Sequence, residues 1–493
     1  MLNTRNISWK ISNLFGLVFI ADFLFYGHQI GWTVSLFALC LTLSYLAHNT
    51  KRLNRFAWLF IALCFGMVAV LAESPSTLAV IIFWTSFIAS VMAIQIHSSE
   101  DLRRWVPSAL QLALFPIRPV AKSLLAYNRL HQSKEQEGQA YKLFQQWAVP
   151  ITLSLTFITL FAVANPIISN WLSDIPWGDI TALLSPLRWL FWLFILCIGW
   201  AFIRPKLRSK RLRNPQPLSR TENSTGFASR QSILTSLILF NLIFFIQTLM
   251  DLYYLWGGAA LPNGLTYAKY AHRGAYPLIF TALLAAVFVL ATLSPGSKTE
   301  RDSNVRALVL LWVVQNIILV ISSIWRTMLY IEEYSLTYLR IAALIWMGLV
   351  AMGLFFIIAR IYLRRNNRWL LLTNAATAFM TLYICCFLNF TDLIARYNVA
   401  HSFELTGQGN RLDIYYLVEL GPEVLPALNE FSSRGGTFDY KPFYNNKSVD
   451  PRIPLTKQMN KEWQDWRART FRLYRLKNHV SRKEEREFSN KSP

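Results

Sequence analysis

Apolar residues in this chain gather into long continuous windows instead of alternating or recurring as one stripe of a soluble helix. Windows able to cross a hydrocarbon core of about 30 Å lie near residues 12–28, 31–47, 56–72, 77–97, 148–171, 187–203, 231–255, 277–295, 307–330, 335–360 and 369–390, which predicts eleven spans. Residues 307–360 as one helix would be about 80 Å long, so a tight turn is expected around 331–335. The pattern predicts an all-α, polytopic transmembrane helical bundle. From residue 391 onward the chain turns polar, and a small, mainly helical C-terminal domain is expected over 391–480, with a disordered tail over 481–493.

The polar intervals orient the spans. One alternate set carries Lys51, Arg52 and Arg55, then Arg103, Arg104, Arg118 and Lys122, then six cations from Arg204 to Arg213, then Lys298, Arg301 and Arg306, then Arg364, Arg365 and Arg368. The opposite set holds only Lys269 and Arg273 as clear loop cations. By the positive-inside rule the N-terminus is inside and the C-terminus outside. The first four spans occupy 1–97. A Pro-broken amphipathic segment at 98–147 is expected to lie on the cytoplasmic interface, and the remaining spans fill 148–390 around a cytoplasmic linker at 205–230.

Composition agrees with a membrane protein: 54% of residues are hydrophobic and only 15% charged, too apolar for a soluble chain of 493 residues. The net charge of +22 would suggest nucleic acid in a soluble protein; here much of it sits in short loops, so the expected partner is the bilayer and not nucleic acid. The five cysteines all fall inside apolar windows and form no CxxC pair, which excludes an extracellular disulfide framework and a thiol metal site of that spacing. Asp22, Phe23, Tyr26 and His28 stand where a signal peptidase would need small residues, so the first window is expected to be a retained span.

Charges within apolar windows are costly, about 2.5 to 3.5 kcal/mol at the centre of a span, and therefore informative. Asp251, Arg326, Glu332, Glu333, Arg340 and Asp392 all map to one end of their windows. Gln247, Asp251 and Tyr254 share a helix face and lead into a Gly- and Tyr-rich loop with Lys269, Tyr270, His272 and Arg273. Asn316, Ser323, Arg326, Tyr330 and Glu333 share another face, and Arg340 opens the next span. With Arg396 of the tail, these residues are the candidate site for binding or transport of an anionic lipid or small-molecule ligand at the outer face; the alternative function is a membrane scaffold or signalling subunit, and the third a membrane enzyme acting on a lipid-linked or envelope substrate. Two plainer readings stand beside it: an ion pair of Arg326 with Asp251 or Glu333 that locks the bundle, and an interfacial belt of aromatics with snorkelling cations. No cofactor or metal is expected. The Glu332-Glu333 pair is followed by Thr337 where an intramembrane protease of the Glu-Glu-x-x-x-Arg type has arginine.

Three stretches carry a family resemblance: Asp251–Trp256 with Thr266–Gly274, Trp325–Arg340, and Leu393–Asn398 with Arg411–Leu417 and Val424–Leu428. Over 231–428 the chain resembles the bacterial polytopic membrane family catalogued as domain of unknown function 4173. The resemblance implies a multi-pass protein of the bacterial inner membrane and supplies no reaction or substrate. Two positions depart from the family pattern: Ser335, where glycine is usual, puts a tight glycine-dependent turn in question, and His272 stands where arginine is common.

Overall fold

A computed structural model describes residues 4–49, 54–95, 102–114, 185–203, 230–257, 302–441 and 448–489, with isolated positions at 150, 154, 281, 284 and 288. Among them there is no β-strand. The chain divides into two compact units, 1–214 with 465–471 and 215–464 with 472–493.

The first unit contains α1 (Thr4–Phe25), α2 (Thr33–Asn49), α3 (Arg55–Glu73), α4 (Thr77–Gln95), α5 (Leu102–Leu114) and α6 (Pro186–Ile203). Helices α3 and α4 form a tight hairpin. Asn54 caps α3 by accepting from the Ala57 amide, and its own side-chain amide donates to the Ala93 carbonyl at the far end of α4. One side chain thus starts a helix and fixes the register of its neighbour. The core where these helices meet is aromatic: Phe87 packs against Tyr45 at 5.7 Å and against Phe202 at 4.9 Å between ring centroids. Gly199 allows α6 to approach α1, because a Cβ there would lie 2.7 Å from a methyl of Leu14. The short α5 carries Pro107 within it, in the segment expected to be amphipathic.

The second unit begins with α7 (Arg230–Asp251), which runs into a π-helical turn (Leu252–Trp256), and continues with α8 (Ser303–Tyr334), α9 (Tyr338–Tyr362) and α10 (Asn367–Cys385). Each of these four helices packs on the next. Their shared core includes Leu237, Val309, Trp312, Met347, Leu354 and Leu370. Then follow α11 (Phe390–Ala400), α12 (Phe403–Thr406), α13 (Ile414–Glu419), a 3-10 turn (Pro422–Val424), α14 (Leu425–Ser433), α15 (Arg452–Gln464) and α16 (Phe471–Ser489). The tail helices have a core of their own, in which Ala395, Val399, Leu417, Leu428, Phe431, Leu455 and Leu473 are buried together. Gly421, at φ +92°, makes the break between α13 and the 3-10 turn.

Among the described residues six helices, α3, α4, α6, α7, α8 and α9, are long and apolar enough to cross a membrane, and α10 with α11, bent by 69°, makes up to a seventh. Helices α1 and α2 fall on the first two windows, whereas the windows at 148–171 and 277–295 lie almost entirely outside the described residues. The chain is a polytopic helical bundle. Two expectations are corrected. Helix α8 runs on to Tyr334, so the tight turn falls at 335–337 instead of 331–335. The aromatic run from Trp463 to Tyr474 spans two helices, because α15 ends at Gln464 and a turn intervenes before α16. Finally, α16 continues through Ser489 where disorder was expected from 481.

Candidate functional site

The seam between α7 and α8 becomes more polar toward the end where both helices carry a charge. Asn241 and Thr248 on α7, and Asn316, Ser323 and Thr327 on α8, are all buried. Each returns a hydrogen bond to the carbonyl four residues earlier on its own helix. A span holds such side chains cheaply in this way. Asn241 also donates to the Leu308 carbonyl at 3.1 Å, the cross-link between the two helices.

At the head of the seam the Arg326 guanidinium donates to Asp251 in a buried ion pair, with side-chain exposures of 7% and 2%. Gln247, one turn earlier on α7, adds a donor to the same carboxylate at 3.1 Å. The choice left open by the sequence is thereby resolved: Arg326 takes Asp251, while Glu333 faces out and is exposed. The face shared by Asn316, Ser323, Arg326, Tyr330 and Glu333 is buried as far as Arg326 and then emerges, Tyr330 being half-buried. Beyond Asp251 the π-helical turn, which contains Tyr254, closes on a bond from the Gly257 amide to the Leu252 carbonyl. A Cβ at Gly257 would lie 2.6 Å from the Tyr253 carbonyl, so this turn requires glycine.

The turn from α8 to α9 is the second element of the site. Ser335 sits at φ +69°, ψ 171°, a region that normally requires glycine. The tight turn therefore forms with serine. Arg340 donates to the carbonyls of Tyr334 and Ser335, and its guanidinium stacks 4.2 Å from the Tyr330 ring centroid. Asn398 on α11 reads both backbone groups of Leu336: its carbonyl accepts from the Leu336 amide at 2.7 Å and its amide donates to the Leu336 carbonyl at 2.9 Å. The Tyr416 hydroxyl accepts from the Tyr338 amide, and the Tyr338 hydroxyl meets Thr391 at 2.6 Å. Ile331, Leu336, Ile341 and Ile394 close over this latch.

Arg396 is exposed and pairs with Asp392 one turn away on α11. It does not reach the Asp251 pair. Lys269, Tyr270, His272 and Arg273 lie outside the described residues. In the tail domain Glu423 meets Arg472 at 3.2 Å, and burial pushes its carboxyl above the ordinary value of 4.5 in spite of that arginine. Among the described residues no group of three His, Cys, Asp or Glu side chains gathers as a metal site.

A second charge pair in the first unit was not foreseen. Asp22 on α1 accepts from Arg188 of α6 through both carboxylate oxygens and from the Trp192 indole at 2.9 Å. Arg188 also lies 4.8 Å from the Tyr26 ring centroid, and Tyr26 in turn bonds Ser185. Both charges stand at the edges of their apolar windows, where a sequence reads them as interfacial residues.

Comparison with curated proteins and with solved structures gave no match in either set. A family profile matches residues 14–431, well beyond the 231–428 over which the resemblance was read, and its number differs from the 4173 expected. The chain belongs to the family described as Domain of unknown function (DUF4153).

Proposed function

We propose that this multi-pass membrane protein is a non-enzymatic scaffold that holds its C-terminal helical domain, α11 to α16, in a fixed pose at one membrane face. The observation that carries this reading is the engagement, by the chain itself, of three of the four candidate arginines, the fourth, Arg273, lying outside the described residues. Arg326 is held by Asp251, Arg340 by the turn carbonyls and Arg396 by Asp392. Cations committed in this way stiffen a support; they do not await an anion. The latch of Asn398 and Tyr416 on the α8–α9 turn gives the support something to hold. The distribution of basic loops supports an N-terminus inside and tail helices outside, and the setting proposed for the protein is a bacterial inner membrane. Reporters fused after Arg213 and after Tyr440 test the sidedness; same-side signals overturn it.

A second reading, an anionic or lipid-like ligand at the outer face, is favoured by one feature. The loop bearing Lys269, Tyr270, His272 and Arg273 leaves α7 directly past Asp251, where Trp256 and Trp325 stack at 6.5 Å and are both exposed. Exposed tryptophans of this kind sit at headgroup depth. Native mass spectrometry of the gently extracted protein separates the two readings. A stoichiometric protein subunit that is lost when 391–493 is deleted supports the scaffold. A discrete anionic lipid or small molecule lost from the Asp251→Asn, Arg326→Ala double variant overturns it in favour of the ligand site.

A further inference from the structure

Residues 465–471 belong with the first unit and pack on the link between α1 and α2, although Trp32 and Trp466 are 434 positions apart along the chain. The segment is a turn: Asp465 accepts from the Arg467 amide through its side chain and from the Ala468 amide through its carbonyl. Its seat is the link between α1 and α2. The Trp32 amide donates to the Arg469 carbonyl at 2.9 Å and the Trp32 indole to the Trp466 carbonyl at 3.0 Å. In the other direction Arg467 donates to the Phe23 carbonyl at 3.1 Å, and its guanidinium lies 4.8 Å from the ring centroids of both Phe23 and Trp466. The three aromatics Phe23, Trp466 and Trp32 form a continuous row, with centroid spacings of 6.3 and 6.0 Å. His28 and Asp465 stand 3.7 Å apart at its edge.

Gly31 shows that the fit is shaped on the receiving side as well. It is buried, and a Cβ there would collide with the backbone of Arg467 and Ala468, so the segment's main chain rests directly on the glycine. A side chain at 31 would lift it off. The donors and acceptors also match in sense: the seat offers two N–H groups and one carbonyl, and the segment offers two carbonyls and one guanidinium.

We infer that the α1–α2 link is a peptide-recognition site whose ligand is a turn carrying Trp-Arg-Ala-Arg, supplied in this chain by residues 466–469. The chemistry that recognises it is specific. Carbonyls three residues apart meet the two N–H groups of Trp32, an arginine between them enters a cation–π slot, and a tryptophan completes the aromatic row. The site goes beyond the scaffold reading and does not depend on it, because none of its residues belongs to the Asp251 seam or to the latch.

The test is reciprocal hydrogen exchange on the full-length protein in detergent, with α3 and α4 amides as internal reference. The Trp466→Ala, Arg467→Gln variant, altered only on the ligand side, should raise exchange at the Trp32 amide by at least about tenfold and leave the reference amides unchanged. Gly31→Leu, altered only on the receiving side, should raise exchange across 465–471 to a like degree. A synthetic peptide of residues 463–471, added to the Trp466→Ala, Arg467→Gln protein, should restore protection at Trp32. Exchange at Trp32 that stays within about twofold of wild type overturns the proposal. A protein that responds to the variants but not to the peptide overturns it too, since the segment would then be held by its tether and not recognised.

Discussion

In each unit an aspartate–arginine pair at one end of the spans joins two apolar helices, Asp22 with Arg188 in the first and Asp251 with Arg326 in the second, and these two pairs are built differently. In the first unit, Asp22 and Arg188 retain side-chain exposures of 14% and 17%, and an indole, a tyrosine ring and both carboxylate oxygens share the charge. In the second, Asp251 and Arg326 are almost wholly withdrawn from solvent, with Gln247 as a further donor to the carboxylate. A partly exposed, well-partnered pair tolerates the loss of one member, because water enters in its place. A fully buried one does not, because the survivor is a bare charge in a medium of low dielectric. Burial, not the pairing itself, is what separates them.

The largest effect that would break this comparison is at Asp251. Asp251→Leu should lower the unfolding free energy by about 3 to 5 kcal/mol, while the Asp251→Leu, Arg326→Met double variant should recover most of that loss. Thermal unfolding in a single detergent reads both; a double variant as damaged as the single would mean that the pair contributes attraction and not merely mutual neutralisation. At Arg188→Ala a smaller loss of about 1.5 to 3 kcal/mol is expected, the range for a hydrogen bond to a charged group. Equal losses at the two sites would dissolve the distinction.

The latch allows a sharper test of what the second unit's charges support. Asn398→Ala leaves the Leu336 amide and carbonyl without their partner and should lower the stability of the turn by about 1 to 3 kcal/mol. Proteolysis between α11 and the turn should accelerate, whereas the first unit should be untouched. In the opposite direction, Ser335→Gly should stabilise by about 1 kcal/mol, since it removes a positive φ that serine adopts under strain. A destabilised glycine variant would show that the serine hydroxyl matters more than the backbone.

The smallest expected effect depends on pH. Burial raises the Glu423 carboxyl above its ordinary 4.5, so the folded tail keeps a proton that the unfolded chain releases. Stability of the tail domain is therefore greatest below about 4.5, falls as pH rises toward the folded value, and levels off above it. In Glu423→Gln that decline should vanish. Urea midpoints measured across this range check it, and parallel curves for the two proteins would exclude Glu423 as the source.

Much of the architecture was legible because a bilayer requires long apolar windows and makes every charge inside one conspicuous. Asp251 and Arg326 stood out for that reason. Periodicity gives a residue its face but not its neighbour, so it left Asp251 and Glu333 as equal partners for Arg326. The pairing of Asp22 with Arg188 was not legible, because a charge near the end of a window reads as solvated and only packing of α1 on α6 brings the two together. The turn at 465–470 was hidden by its own aromatics: Trp463, Trp466 and Tyr474 keep helical spacing across it. Asp465, a side chain suited to stopping one turn and starting another, was the signal available.

The docked turn also imposes an order on biosynthesis. Trp32 and Trp466 are 434 residues apart, so at about 5 to 20 residues per second the α1–α2 link waits roughly 20 to 90 s before its contact is translated. During that interval the seat at Gly31 and Trp32 is vacant, and any turn of matching chemistry, from a chaperone or a neighbouring nascent chain, competes for it. The final contact of the earliest helices is thus among the latest events in the protein's assembly.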